Sequence, residues 1–470
     1  MIWNNFVFNL RVRSWVIIVT SLGLAYLIGL AVTLVPITYR EIIAFLLVLT
    51  GILILASGRQ SVWVGFIFWI FTLGIGYRTL PITNTLKIHP AEILLWGILL
   101  LLLVQHIMHQ GKLDVSVIPK WYWLIIPFLF LGWVPSLQVG RQWDILLSEF
   151  RNFLLLFPLF IVGTDILKND DRWRGILLVF FIMGVWVAGM GNIEYFFPPV
   201  RDLLPGFVSN TGSFETHDGF QRAWFSFWGT SDAVFVLTLA LPFAIVIWYW
   251  YSKLWQRFLI ALGVILYIIA IIISGHRDAW VFLMFQFLLW GILQKRTKQL
   301  ILYLVILGVL VPLIIFMLPT GIQGRVATVF QIAAGDTPDS SSYKRQERAN
   351  IAVGLISRQP LGNGWGAAGW VHSDFLQVGA NLGLIPGLIF LGGYLITGWR
   401  LYERFNKLVP SDELRILWGS LFLTFVTVGG ILAFETVIVL PQLVLPVWFV
   451  WVLVEIWLYK TKPPRVMQNV

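Results

Sequence analysis

Cysteine is absent from the 470-residue chain, and charged residues are scarce. Without cysteine, disulfide bonds, thiol catalysis and Cys-ligated metal sites are excluded. Charged residues make up 12% of the chain, whereas a soluble domain has about a quarter. Hydrophobic residues make up 58% and the mean hydropathy is +0.83. A water-soluble fold cannot cover the amount of apolar surface that this composition implies. These deficits predict an integral membrane protein.

Long apolar runs recur from Trp15 to Tyr459 and leave no stretch for a separate globular domain. Many runs reach or approach the roughly 20 residues that a helix needs to cross a bilayer. We therefore predict one membrane domain over residues 1–470, all-α and polytopic, with about 12–14 transmembrane helices. The predicted spans begin near residues 14, 41, 62, 90, 121, 150, 174, 232, 257, 279, 299, 376, 414 and 441.

The distribution of Lys and Arg predicts the orientation of these spans. A net charge of +10 would suggest nucleic acid in a soluble protein, but here basic residues cluster in alternate connections. With a cytoplasmic N-terminus, the inner connections hold twenty of the 33 basic residues and the short outer connections hold six. This asymmetry follows the positive-inside rule. It predicts an inner-membrane-type protein with both termini in the cytoplasm, a bilayer as partner, and no nucleic acid.

Two long connections, residues 198–231 and 319–373, are predicted to lie on the outer, periplasmic side. The second is a large loop before the third-last span. Connecting segments commonly carry binding and catalytic residues. Polar loops in so apolar a chain are therefore where we expect the function.

In the second loop, Ser341 or Ser342 is suited to cap a helix that runs to Gln359, where Pro360 disfavours its continuation. Arg345 and Arg348 are three residues apart and so share one face of this helix. Ala352 with Leu355 or Ile356 continues that stripe toward the membrane domain. The paired guanidiniums fit an anion clamp or, equally simply, a face that binds solvent or lipid headgroups.

A glycine-rich segment follows Pro360, and Gly364, Gly366 and Gly369 satisfy the spacing G-x-G-x-x-G. A dinucleotide site is rejected because that fingerprint requires a strand before it and a βαβ unit around it. Glycine lets a backbone pass close to a ligand or to a neighbouring helix. Gly364 is therefore a candidate for substrate binding, and a tight connection is the alternative.

His372 stands at the start of the next span, before the capping candidates Ser373 and Asp374. A helix N-terminus and nearby arginines disfavour a positive charge. The imidazole should then be neutral and able to take a proton, as a general base does. The alternative is a packed histidine with a hydrogen-bonding role.

Two further groups lie on the predicted outer face. The connection His276-Arg277-Asp278 is short and must lie at the membrane surface. Ionisable residues at that depth are functional candidates. The alternative is that Arg277 and Asp278 form a purely structural ion pair. In the first loop, Arg222 could hold an anionic substrate or a lipid phosphate. No outer segment has a metal-binding spacing, so no metal and no cofactor are expected.

Four segments resemble the O-antigen ligase and polymerase superfamily of bacterial membrane glycosyltransferases. The first is Arg222 to Asp232, where an Arg precedes a Gly-Thr-Ser-Asp turn. The second is His276 to Ala279, which matches the family pattern Ser-Arg-Gly-Ala with His in place of Ser and Asp in place of Gly. The third is Arg345 ahead of Pro360 to Gly364, and the fourth is His372 to Gly387, which is similar to the family pattern His-Asn-x-x-Leu followed by Gly-Leu-x-Gly. The resemblance covers the second half of the chain. Two positions depart from the family pattern: Ser373 stands where Asn is usual, and the Trp that is common after the loop Arg is absent. Without that Trp, Arg345 and Arg348 are alternatives for the loop Arg, and the distance to Pro360 favours Arg345.

The resemblance implies transfer of a glycan from an undecaprenyl-diphosphate carrier to an acceptor hydroxyl at the periplasmic face, with inversion and without a metal or nucleotide. It implies that Arg277 and Arg345 bind the diphosphate and that His372 deprotonates the acceptor. Arg348, Arg222 and Gly364 would assist substrate binding. The acceptor would be a glycan, lipid A core or a glycoprotein. The sequence does not separate ligase from polymerase; because no segment marks an acceptor site, a polymerase or a general polysaccharide ligase is favoured.

Two other classes of function stay open. Relatives of this superfamily have been discussed as bicarbonate-related proteins, so an anion transporter is one alternative. Transporters tend to show internal repeats, broken helices and charges near the midplane, which the sequence does not suggest. A non-catalytic membrane protein whose arginines bind headgroups is the other.

Overall fold

The computed structural model describes residues 60–74, 80–81, 87–108, 113–168, 171–197, 216–217, 220–221, 230–294, 340–408 and 413–461. Nearly all of this part of the chain is helical. The strands are two antiparallel pairs of two residues each, β1 (Leu80–Pro81) with β2 (Lys87–Ile88), and β3 (Thr216–His217) with β4 (Phe220–Gln221).

Sixteen α-helices and one short 3₁₀ turn make up the described chain. The helices are α1 (Ser61–Leu73), α2 (Pro90–Met108), α3 (Lys120–Leu131), α4 (Trp133–Gln138), α5 (Trp143–Leu154), α6 (Leu156–Leu167), α7 (Asp171–Phe196), α8 (Thr230–Ala240), α9 (Phe243–Trp250), α10 (Leu254–Ile273), α11 (Arg277–Leu293), α12 (Ser340–Arg358), α13 (Asp374–Leu382), α14 (Leu384–Asn406), α15 (Glu413–Phe434) and α16 (Pro441–Lys460), with the 3₁₀ turn at Val437–Val439.

Nine helical segments of the described chain are long and apolar enough to cross a membrane. They are 90–107, 120–138, 143–167, 172–196, 232–250, 254–273, 384–406, 414–434 and 442–460. The prediction of an all-α, multi-pass membrane protein is confirmed for these residues. The spans predicted near 14, 41 and 299 lie outside the described residues, so the count of 12–14 stays a prediction.

Three predicted spans differ in the structure. Helix α1, at the span predicted near 62, has 13 residues, and α11, at the span predicted near 279, has 17. The span predicted from 376 is interrupted: α13 ends at Leu382, and Gly383, with φ +111°, separates it from α14. Because a φ of +111° lies far from the α-helical region, a straight helix cannot continue through Gly383, and glycine is the residue that adopts such a φ readily.

The core between the spans is rich in tryptophan. Trp69, Trp365, Trp448 and Trp451 are among the largest side chains that are fully buried. Trp451 packs against Trp121 and Phe390 with ring centroids 4.9 and 5.5 Å apart. Interfacial belts, the expected explanation for many tryptophans, therefore do not account for these four.

Helix α10 shows the opposite pattern, with a third of its span buried. Leu254, Phe258 and Ile265 are exposed on it. A continuous exposed apolar face on a long helix is compatible with contact with lipid tails.

Side-chain contacts join the helix ends into two separate sets. At one end, Arg141 contacts the carbonyl oxygen of Asn363, and Arg345 contacts Asp278 and Glu435. At the other end, His106 lies near Asp165 and Ser116 contacts Tyr459. The connections after α4, α10, α12 and α15 therefore meet at the same end of the bundle.

Candidate active site

Arg345 connects two carboxylates that come from distant parts of the chain. Its Nη1 donates to Oδ2 of Asp278 at 2.7 Å, and its Nη2 donates to Oε1 of Glu435 at 3.3 Å. The Glu435 side chain is 7% exposed, whereas Arg345 and Asp278 are 28% and 27% exposed. The guanidinium is thus fixed at the rim of the bundle, with one side still accessible.

Helix α12 carries both loop arginines. Its residue Ala352 is fully buried and packs with Ala368, Val371 and Ala380, with Leu355 and Ile356 packed against the same cluster. Arg345 lies seven residues before Ala352 and Arg348 four residues before it, so helical spacing alone puts both on this face. Arg345 contacts the carboxylates, whereas Arg348 is exposed. The structure places Arg345, and not Arg348, among the carboxylates.

His372 lies on the other side of the same glutamate. Its Nδ1 is 3.4 Å from Oε2 of Glu435, and its backbone N–H donates to Oγ1 of Thr436 at 2.7 Å. Among the described residues, His372 is the one non-glycine with a positive φ, at +59°. Non-glycine residues held in this region are uncommon and concentrate at functional sites. The loop therefore holds His372 in an unfavourable backbone conformation beside a buried carboxylate.

Asp374 joins the two turns that carry His372 and Glu435. Its carboxylate oxygens accept the backbone N–H groups of Val437 and Ile438, each at 3.0 Å. The side chain is fully buried. Burial raises the pKa of Asp374 well above its ordinary value, the nearby Glu435 adds to this rise, and the two N–H groups oppose it. Asp374 thus sets the spacing between the histidine and the glutamate.

The residues His276, Arg277 and Asp278 form the third side of the cluster. The backbone N–H of His276 donates to Oγ of Ser274, which holds the tight turn into α11. Burial acts to raise the pKa of Asp278, but the positive charges of His276, Arg345 and Arg277 outweigh it and lower the pKa. Asp278 is therefore a carboxylate held between cations. Its ion-pair partner across the site is Arg345, whereas the sequence suggested Arg277.

Gly364 belongs to a different set of contacts. A Cβ atom there would lie 2.6 Å from the backbone N of Ser136, and its φ is +84°. Nη1 of Arg141 donates to the carbonyl oxygens of Asn363, Gly364 and Trp365 at 2.8, 3.0 and 2.9 Å. The backbone N–H of Gly364 also donates to the carbonyl oxygen of Asn381 at 2.7 Å, so the segment is held between α4, Arg141 and α13. The structure therefore supports the tight connection for Gly364.

Glu149 anchors the same loop from inside the bundle. It is 3% exposed, and its Oε2 accepts hydrogen bonds from Nδ2 of Asn381 at 2.6 Å and from the backbone N–H of Gly366 at 3.2 Å. Asn381 in turn accepts the N–H of Ala368. A buried carboxylate on a membrane-spanning helix thus fixes the segment that leads to His372.

Of the six residues selected from the sequence, the structure brings Arg345, Arg277 and His372 to one cluster and leaves Arg348 and Gly364 outside its contacts. Arg222 lies outside the described residues. Sequence reasoning missed Glu435, which contacts both Arg345 and His372. The signal was present: a single acidic residue between two long apolar runs is a functional candidate by default.

No protein-family model matches this chain, and no curated protein sequence matches it. The family and the activity expected from the resemblance therefore stay predictions.

Proposed function

We propose that this protein transfers a glycan from an undecaprenyl-diphosphate carrier to an acceptor hydroxyl at the outer face of the bacterial plasma membrane. The observation that carries the proposal is the convergence of Arg345 and His372 on Glu435, at 3.3 and 3.4 Å. A cation for a leaving phosphate and a base for an attacking hydroxyl are the two groups that this reaction requires.

Arg345 is the donor-side residue in this proposal. A guanidinium binds phosphate oxygens through charge-assisted hydrogen bonds, often two at once. As the bond from the sugar C1 to the phosphate oxygen breaks, negative charge grows on the diphosphate, and a fixed cation stabilises it. Arg277, whose charge acts on the neighbouring Asp278, adds a second cation on this side.

His372 is the acceptor-side residue. A carboxylate beside Nδ1 favours the tautomer with the proton on Nδ1, which leaves the lone pair of Nε2 for the acceptor. Nε2 takes the hydroxyl proton while the oxygen attacks C1 from the face opposite the leaving group. The carrier diphosphate departs with the electrons of the broken bond, and the product has inverted configuration. Glu435 stabilises the imidazolium that forms, as the carboxylate of a catalytic triad does.

The acceptor and the polymer length define two versions of the proposal. A polymerase would add one repeat unit to a growing glycan, whereas a ligase would attach a finished chain to lipid A core or to a glycoprotein. In both versions the cluster faces the periplasm, both termini are cytoplasmic, and the long connections 198–231 and 319–373 lie outside.

The experiment is an assay of purified protein in lipid with an undecaprenyl-diphosphate-linked repeat unit, with and without lipid A core, resolved by gel. A ladder without lipid A core indicates a polymerase, and one shifted lipid A band indicates a ligase. Arg345→Ala should lower the rate by about 10²–10³-fold, and His372→Ala by about 10²–10⁴-fold.

Arg358→Ala is the matched control, since Arg358 is exposed on the same helix as Arg345. It should behave like the wild type. An untouched substrate, or full activity in both site variants, would contradict the proposal. Uptake of bicarbonate and other anions into vesicles would then be the next measurement.

A further inference from the structure

Three side chains in the cluster have the arrangement of metal ligands. One ligand atom each from His276, Asp278 and Glu435 can be chosen so that all three lie within 4.8 Å of one another. Three ligand atoms bound at about 2.1 Å to one metal ion can be mutually at most about 3.6 Å apart. A movement of up to about 0.7 Å by each atom toward their common centre would bring the three atoms into one coordination sphere.

Metal-binding spacings in a sequence reveal only ligands that lie close together in the chain. His276 and Asp278 are separated from Glu435 by about 160 residues, and the fold brings them together at the ends of α10 and α15. His276 and Asp278 are also the two positions at which this chain departs from the Ser-Arg-Gly-Ala pattern. Neither Ser nor Gly would supply a strong ligand there. The departure from the pattern is what creates the triad.

The charges around the triad favour a cation. Asp278 and Glu435 both pair with the single guanidinium of Arg345, which therefore occupies the position of a positive ion between two carboxylates. Arg277, next to Asp278 in the chain, is a charge that opposes an added cation.

We propose that His276, Asp278 and Glu435 form a binding site for a divalent transition-metal ion such as Zn²⁺ or Mn²⁺, which competes with Arg345 for the two carboxylates. One imidazole and two carboxylates are a donor set that suits these ions. Three protein ligands leave coordination positions open, as in sites where a metal also contacts a substrate.

The competition has a consequence for the reaction, and this part rests on the proposed function. With both carboxylates facing Arg345, an incoming diphosphate meets two negative charges beside the cation that should bind it. A metal that takes the place of Arg345 at Asp278 and at Oε1 of Glu435 leaves Oε2 facing His372 and leaves the guanidinium for the diphosphate. The ion would thus switch Arg345 from an internal pair to a substrate contact.

Metal binding is tested without any glycan. Protein without a polyhistidine tag is stripped with a chelator and titrated with Mn²⁺, and the loss of the free-ion EPR signal gives the stoichiometry and Kd. We expect one Mn²⁺ per chain, displaced by Zn²⁺. His276→Ala and Asp278→Asn should each weaken binding by at least about tenfold, the range seen when groups around a metal are removed.

Arg345→Gln gives the sharper result because it removes the competing cation. It should tighten binding by about tenfold, whereas Arg358→Gln, with the same loss of charge on the same helix, should leave the Kd unchanged. If neither the wild type nor Arg345→Gln binds Mn²⁺, the site does not exist. Binding that survives both His276→Ala and Asp278→Asn also overturns the proposal. A confirmed site in a protein without transferase activity would refute the proposed function alone.

Discussion

The backbone N–H of His372 donates to the side-chain hydroxyl of Thr436 at 2.7 Å, and this hydrogen bond fixes the distance between the candidate base and Glu435, one residue before Thr436. Thr436 is fully buried, so water does not replace its hydroxyl if the side chain is changed. Two turns that are 64 residues apart in the chain are thereby held as one unit.

The first prediction concerns this hydrogen bond. Thr436→Val keeps the shape but leaves the N–H of His372 without an acceptor, which costs about 1–3 kcal/mol. We expect transfer to fall by about tenfold in kcat, with little change in the KM for the donor. Thr436→Ser, which keeps the hydroxyl, should recover most of the rate. Equal rates in the Val and Ser variants would show that the hydroxyl does not position His372.

The second prediction is that His372 and Glu435 act as a unit. Residues that act together in catalysis show strongly non-additive losses. Glu435→Gln and His372→Ala should each lower the rate of transfer by about 10²-fold or more, and the double variant should be close to the worse single variant. Losses that multiply in the double variant would instead mean that the two residues act independently.

The third prediction concerns acid stability through Asp278. Its pKa is lowered in the folded protein, so its ionised form stabilises the fold above the ordinary value of 3.8 and this contribution is lost as the pH falls through the lowered pKa. Arg345→Gln removes one cause of the lowering and brings the folded-state pKa closer to 3.8, so the stability lost on acidification should be smaller and should be complete at a higher pH. Thermal unfolding midpoints across acidic pH measure this.

Arg358→Gln is the comparison for this measurement, because other carboxylates also titrate in that range. Its acid profile should follow the wild type. If Arg345→Gln also follows the wild type, the ion pair with Asp278 contributes nothing to stability.

The fourth prediction separates backbone strain from steric contact in the glycine-rich loop. Gly364 has a φ of +84° and lies against Ser136, whereas Gly369 has a φ of +62° and a Cβ atom added there would meet nothing within 4 Å. Gly369→Ala should cost about 1–3 kcal/mol from strain alone, and Gly364→Ala should cost more because Ser136 must also move. Thermal unfolding that ranks them in the reverse order would contradict the packing of this loop.

Much of the fold could be predicted from the sequence, because a bilayer requires long apolar helices and their starts are visible. Helices near 90, 232 and 414 begin within two residues of the prediction. The break at Gly383 was not predicted, because the apolar pattern continues through it. At the break, the N–H of Leu384 donates to the carbonyl oxygen of Pro360 at 2.8 Å, a contact that no local pattern reveals.

The site was predictable only in part. Arg345 and His372 were visible as polar residues in a polar loop. Helical spacing placed Arg348 on the same face as Arg345, whereas the structure leaves Arg348 exposed. Glu435 and Glu149 were missed because each is a single acid within an apolar stretch. Their meaning depends on partners 63 and 232 residues away, His372 and Asn381. Such pairings are set by tertiary structure and have no spacing to detect.

The shared position of Glu435 bears on the timing of the proposed reaction. One carboxylate contacts both the cation for the donor and the base for the acceptor, so a donor that draws Arg345 toward itself also changes the surroundings of His372. Arrival of the lipid-linked sugar would then make the imidazole of His372 a better proton acceptor, and a site without donor would remain unreactive. Such an enzyme would resist wasteful hydrolysis of its donor by water, since the two halves of the chemistry become competent together.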